Sequence, residues 1–231
     1  KVPANFKEYI VFLKDLKCFC PNSFSSEKIE FTKLSEGVLK MYYLDFYNEI
    51  KNRIADDDAF TLSTDNDTIL IQAKGIAKHA SIPEGSINAA FMTAELLSSC
   101  ENICENDKAI MLKVKDILSD SYGKSLKVEH NDVNFGKTTT VNGMVKTENG
   151  NISLSFDCRY GDTYSSADIE KNSEETLNDL GFTVTYKDNR GGFSIDKNSK
   201  IPLALEEIYA ECTGTKLNSV LMSGGTYARR L

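Results

Sequence analysis

The 231-residue chain lacks several things that would place it quickly in a broad class. Apolar runs such as Ile69 to Ile71 fall far short of the roughly 20 residues that a helix needs to cross a bilayer, so no membrane segment is expected. The start is not that of a signal peptide either: Lys1-Val2-Pro3 leads into an amphipathic stretch, not a short basic region and an apolar core, and the expectation is a cytoplasmic protein. Clustered basic charge is missing. The net charge of −7 and pI near 5.0 disfavour nucleic acid and anionic membranes as partners, because phosphate attraction needs grouped Lys and Arg. The six cysteines are too sparse for a disulfide scaffold, and none shows the C-x-x-C spacing of a structural zinc site. Cys100 and Cys104 could neighbour one another on a helix, but two thiolates fall short of the usual four ligands, and buried reduced thiols are the better reading.

What is present is enough apolar residue, 41%, to build real cores. After Pro3, the residues Phe6, Ile10, Leu13 and Leu16 recur at helical spacing and predict an amphipathic helix to about Lys17. Residues 25–58 offer both periods, and the run Asp56-Asp57-Asp58 ends them. From Thr68 the alternation of Ile69, Ile71 and Ala73 predicts a strand, Gly75 punctuates it, and Ser86 is placed to cap a helix carrying Ala90, Ala94 and Leu97. A further helix should carry Ile110, Val114 and Ile117, followed by extended segments over 124–128 and 137–146.

Asn149-Gly150 is a hairpin signal, since a type I′ turn needs positive φ at both central residues. In the strand after it, Ile152, Leu154, Phe156 and Cys158 share one face and leave Ser153, Ser155, Asp157 and Arg159 on the other, off the core. Ser165 or Ser166 can cap a helix bearing Ile169, Leu177 and Leu180 that Gly181 closes, with Phe182, Val184 and Tyr186 following as a strand. The whole predicts an α+β fold, a ferredoxin-like two-layer sandwich with helices on one face of an antiparallel sheet. The character changes near residue 195, beyond which Pro202 opens a helix with Leu205, Ile208 and Cys212, closed by Gly214. No tandem repeat is visible.

Taken singly, the residues that could carry chemistry have bland readings. His79 lies in a loop between a strand and a helix, where a lone histidine is more often a hydrogen-bonded structural residue than a catalyst. His130 sits in a polar turn. Arg159 could be a surface charge beside Asp157 or Asp162, although its planar fork also suits a carboxylate. Gly224-Gly225 could present N–H groups to an anion or be a simple tight turn.

Their combination is more specific. Residues 75–88 resemble the lid signature of the peptidase V, carnosinase and Xaa-His dipeptidase group, matched here by His79, Ser81, Pro83, Glu84, Gly85, Asn88 and Ala89. Phe156-Asp157-Cys158-Arg159-Tyr160 is similar to that group's Asp-x-Arg-Tyr-Pro strand, and residues 224–229 resemble its Gly-Gly-Thr-Tyr-Ala-Arg loop. Lys1-Val2-Pro3 looks like its Asn-x-Val-Pro entry to the lid, whereas residues 21–65 match no part of the pattern. Gly161 stands where the group usually has proline, and Met222-Ser223 where a third glycine is common.

The resemblance implies that residues 1–195 form the substrate-clamping lid of a dinuclear zinc dipeptidase and that residues 196–231 are a partial segment of its catalytic domain. It implies His79 as the donor that stabilises the oxyanion of the tetrahedral intermediate, and Arg159, Gly224, Gly225 and Thr226 as binders of the dipeptide's terminal carboxylate. The parent's cofactor would be zinc, as two ions. None is expected in this chain, whose Glu174-Glu175 and Glu206-Glu207 sit in amphipathic helices. The implied partners are a dipeptide substrate and the catalytic domain of the same polypeptide, with lid action within one subunit or across a homodimer both open. The rival reading from another class is a stand-alone α+β binding or dimerisation module, since such sheets serve many functions. A thiol hydrolase is disfavoured because no cysteine has a motif-linked histidine.

Overall fold

The computed structural model describes residues 8–12, 36–65, 68–148, 151–185, 187–188 and 194–216; for 8–12, 36–43, 65, 68 and 148 it describes the backbone alone. Among these residues the chain is α+β, with helices α1 (Glu36–Arg53), α2 (Ala89–Ser99), α3 (Glu105–Leu118), α4 (Ser166–Asp179) and α5 (Lys200–Thr213). The strands are β1 (Glu8–Phe12), β2 (Phe60–Asp65), β3 (Thr68–Lys74), β4 (Asn131–Asp132), β5 (Gly136–Lys137), β6 (Thr139–Glu148) and β7 (Asn151–Arg159). Two compact units divide the chain, one of residues 1–121 and 141–157 and the other of residues 122–140 and 158–231.

In the first unit β3 is the centre of an antiparallel sheet of order β1-β3-β2. Its alternation does what the sequence predicts: Ile69, Ile71 and Ala73 are buried, while Leu70 and Gln72 are half-buried. β1 corrects the expected N-terminal helix over its described part, pairing from Glu8 opposite Lys74 to Phe12 opposite Leu70. The stretch Tyr9-Ile10-Val11-Phe12 is aromatic and β-branched, and an apolar run this short does not distinguish the two periods.

α2 lies against β3 and α3. Its small residues Ala89, Ala90, Thr93 and Ala94 are buried together with Leu96 and Leu97. In α3 the buried positions Met111, Val114, Ile117 and Leu118 follow helical spacing. α1 buries Phe46 and Ile50, one turn apart, and is tied to the α2–α3 connection by Glu49. That carboxylate accepts the backbone N–H groups of Glu101 (2.7 Å) and Asn102 (2.9 Å) and the Arg53 guanidinium at 2.8 Å. Burial would push Glu49 up, but these donors together hold it below its ordinary value. Cys100 and Cys104 do not share a helix: they cap the end of α2 and the start of α3. Burial pushes the Cys100 thiol up to about 12, which keeps it protonated and inert.

β6 and β7 pair as an antiparallel ribbon around the hairpin position, although Asn149-Gly150 itself lies outside the described residues. Ile152, Leu154 and Phe156 are half-buried and Ser153 and Ser155 exposed, as the alternation requires; Asp157 and Arg159 depart from it and are half-buried.

In the second unit α4 is capped by Ser165, whose hydroxyl accepts the Asp168 N–H at 3.3 Å. It closes at Gly181, where φ is +84° and Phe182 N–H reaches the Leu177 carbonyl at 2.9 Å. Two expectations are corrected here. Residues 124–128 form a turn, not an extended segment, with Val128 N–H on the Gly123 carbonyl at 2.8 Å and Lys127 at φ +54°. Residues 182–185 form no strand: the alternation of exposure is present, but no ladder partner exists among the described residues, and Tyr186 lies outside them. α5 closes at Gly214 (φ +69°) as expected, and it buries none of its residues, leaving Ile201, Leu203, Leu205 and Ile208 exposed.

Candidate functional site

The loop that carries His79 is built at its stem. Ile76 and Ile87 exchange both backbone hydrogen bonds, at 2.9 and 3.0 Å, so that residues 77–86 form a closed excursion between β3 and α2. Gly75 makes this closure possible, because a Cβ there would lie 2.3 Å from the Ile87 carbonyl oxygen. Within the excursion the Ile82 N–H reaches the His79 carbonyl at 2.9 Å. The Ser86 N–H reaches the Pro83 carbonyl at 2.9 Å, with Gly85 at φ +72° in the third position, as a type II turn needs. Pro83 is buried beneath, and His79 is exposed at the surface of the loop. The helix cap is Asn88, not Ser86: its Oδ1 accepts the N–H groups of Ala90 (2.9 Å) and Phe91 (3.2 Å).

The His79 ring is held by one neighbour. The Ser81 hydroxyl lies 2.7 Å from Nδ1 and the Ser81 backbone N–H donates to the same nitrogen at 3.3 Å. A backbone N–H can only donate, so Nδ1 accepts and the neutral ring carries its proton on Nε2. The loop thus presents one N–H donor outward, a geometry suited to an anion or a developing oxyanion.

Arg159 is the last residue of β7 and is half-buried. His79 belongs to the first unit and Arg159 to the second. The chain beyond Arg159 is gathered by a residue that sequence reasoning passed over. Asp132, in β4 and 3% exposed, accepts through Oδ1 the N–H groups of Asn134 (2.7 Å) and Phe135 (2.8 Å). Through Oδ2 it accepts the Thr163 N–H (3.0 Å) and the Thr163 hydroxyl (2.5 Å). The Thr163 hydroxyl, followed by the backbone donors, holds this carboxyl well below the usual carboxylate range. Gly161 is buried against it: a Cβ would lie 2.2 Å from Asp132 Cγ. His130 joins the same cluster, its Nε2 3.2 Å from Thr163 Oγ1 and its ring 4.7 Å from that of Tyr164. The signal available in the sequence was Gly161 itself, standing where the resembled group has proline.

Gly224, Gly225 and Thr226 lie outside the described residues, as does Arg229. Among the described residues no three His, Cys, Asp or Glu side chains come together in a way that could hold a metal ion, so these residues do not fit the zinc pair that the resemblance implies for the parent. No described helix is long and apolar enough to cross a membrane.

No family model matches the chain. It is similar to a protein of Bacillus subtilis (strain 168) named "Putative dipeptidase YtjP", 25% identical over 169 residues, which cover 72% of this chain and 36% of that protein. It is 26% identical over 175 residues to "Putative dipeptidase SAR1836" of Staphylococcus aureus (strain MRSA252), covering 73% of this chain and 36% of that protein. With a "Putative dipeptidase" of Staphylococcus epidermidis (strain ATCC 12228 / FDA PCI 1200) it shares 22% identity over 202 residues, 85% of this chain and 42% of the relative. The chain therefore spans a little over a third of the length of these relatives, and it is a distant relative of proteins named as dipeptidases.

Proposed function

We propose that the chain is the lid portion of a zinc-dependent dipeptidase, in which residues 1–195 close over substrate and residues 196–231 enter the catalytic domain. The observation that carries this reading is the His79 loop: a closed excursion, pinned at Ile76 and Ile87, that offers one outward Nε2–H donor. Distant likeness to proteins named as dipeptidases, at about a third of their length, supports the hydrolase class and the view that catalytic parts lie elsewhere in the polypeptide. The exposed apolar residues of α5 suit a helix that a larger body covers.

In this reading His79 donates to the oxyanion that forms as water adds to the peptide carbonyl. A donor aimed at charge absent from the ground state lowers the barrier without tightening substrate binding. Arg159 would bind the terminal carboxylate, which is charged throughout, so its contribution falls on binding and register. Gly224, Gly225 and Thr226 would line the same carboxylate subsite.

The test compares a free dipeptide with its C-terminal amide in the complete polypeptide encoded by the gene. The wild type should discriminate strongly against the amide. Arg159→Ala should raise KM for the acid about 30-fold or more, the lower end of what truncating a desolvated charge pair costs, and should treat acid and amide almost alike. Full retention of the acid preference in the variant would remove Arg159 from the carboxylate subsite.

A further inference from the structure

We propose that Asp132 is a positioning residue for carboxylate recognition, fixing the turn that leaves β7 so that the Arg159 fork is delivered to one place. The inference rests on the reading of Arg159 as the carboxylate binder. What carries it is the cluster around Gly161 and Thr163, two and four residues beyond Arg159.

Four donors converge on the Asp132 carboxylate. Two, the N–H groups of Asn134 and Phe135, close its own turn; the other two, the N–H and hydroxyl of Thr163, come from the segment after β7. These occupy the lone-pair sites that a carboxylate offers, which leaves little capacity for a metal or a proton-transfer role and points to a mechanical one. Gly161 is buried with its Cα against the carboxylate, so the segment can approach only because no Cβ is there. Thr163 gives its proton to Asp132 and must therefore accept from His130 Nε2, and the His130 ring lies against Tyr164. Further on, the Ser194 hydroxyl donates to the Asp162 carboxylate. The chain is thus held at residues 161 to 164, immediately after the arginine. Displacing a positioning contact by about 1 Å can cost as much as 10²-fold, so slack here would be felt at the guanidinium.

A purely structural role for the cluster predicts lower stability and nothing more. The two are separated by a double-mutant cycle in the complete polypeptide, using Asp132→Asn, Arg159→Ala and the double variant. Asp132→Asn should raise KM for free dipeptides about tenfold with kcat within about threefold, and should erode the acid-over-amide preference. In the Arg159→Ala background the same change should leave KM within about twofold, since a residue acting through Arg159 has nothing further to misplace. Thr163→Val supplies the milder version should Asp132→Asn fail to fold, with KM about threefold up and restored by Thr163→Ser. An unchanged KM in the folded single variants, or an equal rise with and without Arg159, overturns the inference and leaves the assignment of Arg159 standing. An Arg159→Ala enzyme that keeps its acid preference overturns both, and is recognised by that arm alone.

Discussion

The loop of His79 is pinned at its stem and exposed at its crown, whereas the turn after Arg159 is pinned at its crown by a buried carboxylate. At the first place two backbone hydrogen bonds and a glycine close the excursion, and one side chain, Ser81, orients the ring. At the second, Asp132 gathers two segments and every donor it faces is satisfied. The difference fits the charges each would meet. A group that answers a transient charge gains from an exposed loop that reaches and withdraws, while one that reads a permanent carboxylate gains from preorganisation.

The largest effect that could break this comparison is on turnover. In the complete polypeptide, His79→Ala should lower kcat by about 10² to 10³ with KM nearly unchanged, the cost of one oxyanion donor. Arg159→Ala should do the reverse. Steady-state kinetics on the two variants settles the contrast, and a His79→Ala enzyme within about threefold of wild type would return His79 to a structural role.

A smaller effect concerns stability in acid. Asp132 titrates lower in the folded chain than its ordinary 3.8, so the stability it confers is full above that value and is lost as pH falls through the lower folded value. Asp132→Asn should be less stable near neutrality by about 1 to 3 kcal/mol, because amide hydrogens then face donors. It should also decline more gently than wild type below about pH 4. Urea unfolding across the acid range checks this, and parallel curves for the two proteins would show that the carboxylate does not hold the turn.

Much of this architecture is legible in the sequence where period and punctuation agree. β3 with its buried Ile69, Ile71 and Ala73, α3 with Val114 and Ile117, and the glycine closures of α4 and α5 follow the predicted pattern. The expected N-terminal helix shows where local pattern fails: Tyr9 to Phe12 suit a strand as well as a helix, and the partner that decides, β3, lies some sixty residues on. The cap at Asn88 was missed for a subtler reason. Ser86 is an equally good capping residue, but the bridge at Ile87 carries the strand-like path two residues further, so the helix starts after Asn88. Asp132 was passed over because its local turn through Asn134 and Phe135 does not announce burial; its other partners, Gly161 and Thr163, are about thirty residues away, and only the departure from proline at 161 hinted at a close contact.

The smallest expected effect sharpens the comparison at the His79 loop. Ser81 ties the ring to the loop, through a hydroxyl at 2.7 Å and a backbone N–H at 3.3 Å, both on Nδ1. Ser81→Ala removes the hydroxyl and keeps the N–H, so the ring loses part of its orientation but none of its donor. The fall in kcat should be a modest two- to tenfold, below the roughly 10² that deleting an oxyanion donor costs, with KM unchanged and recovery in Ser81→Thr. In nitrogen-detected imidazole spectra of the complete polypeptide, the ring signals lost in His79→Gln identify His79. Wild-type His79 should show its neutral-form proton on Nε2, and Ser81→Ala should shift that signature toward a mixture of tautomers. A wild-type ring already divided between the two forms would mean that the loop does not orient the donor. The contrast between a ring held by one side chain and a turn held by a buried carboxylate would then rest on Asp132 alone.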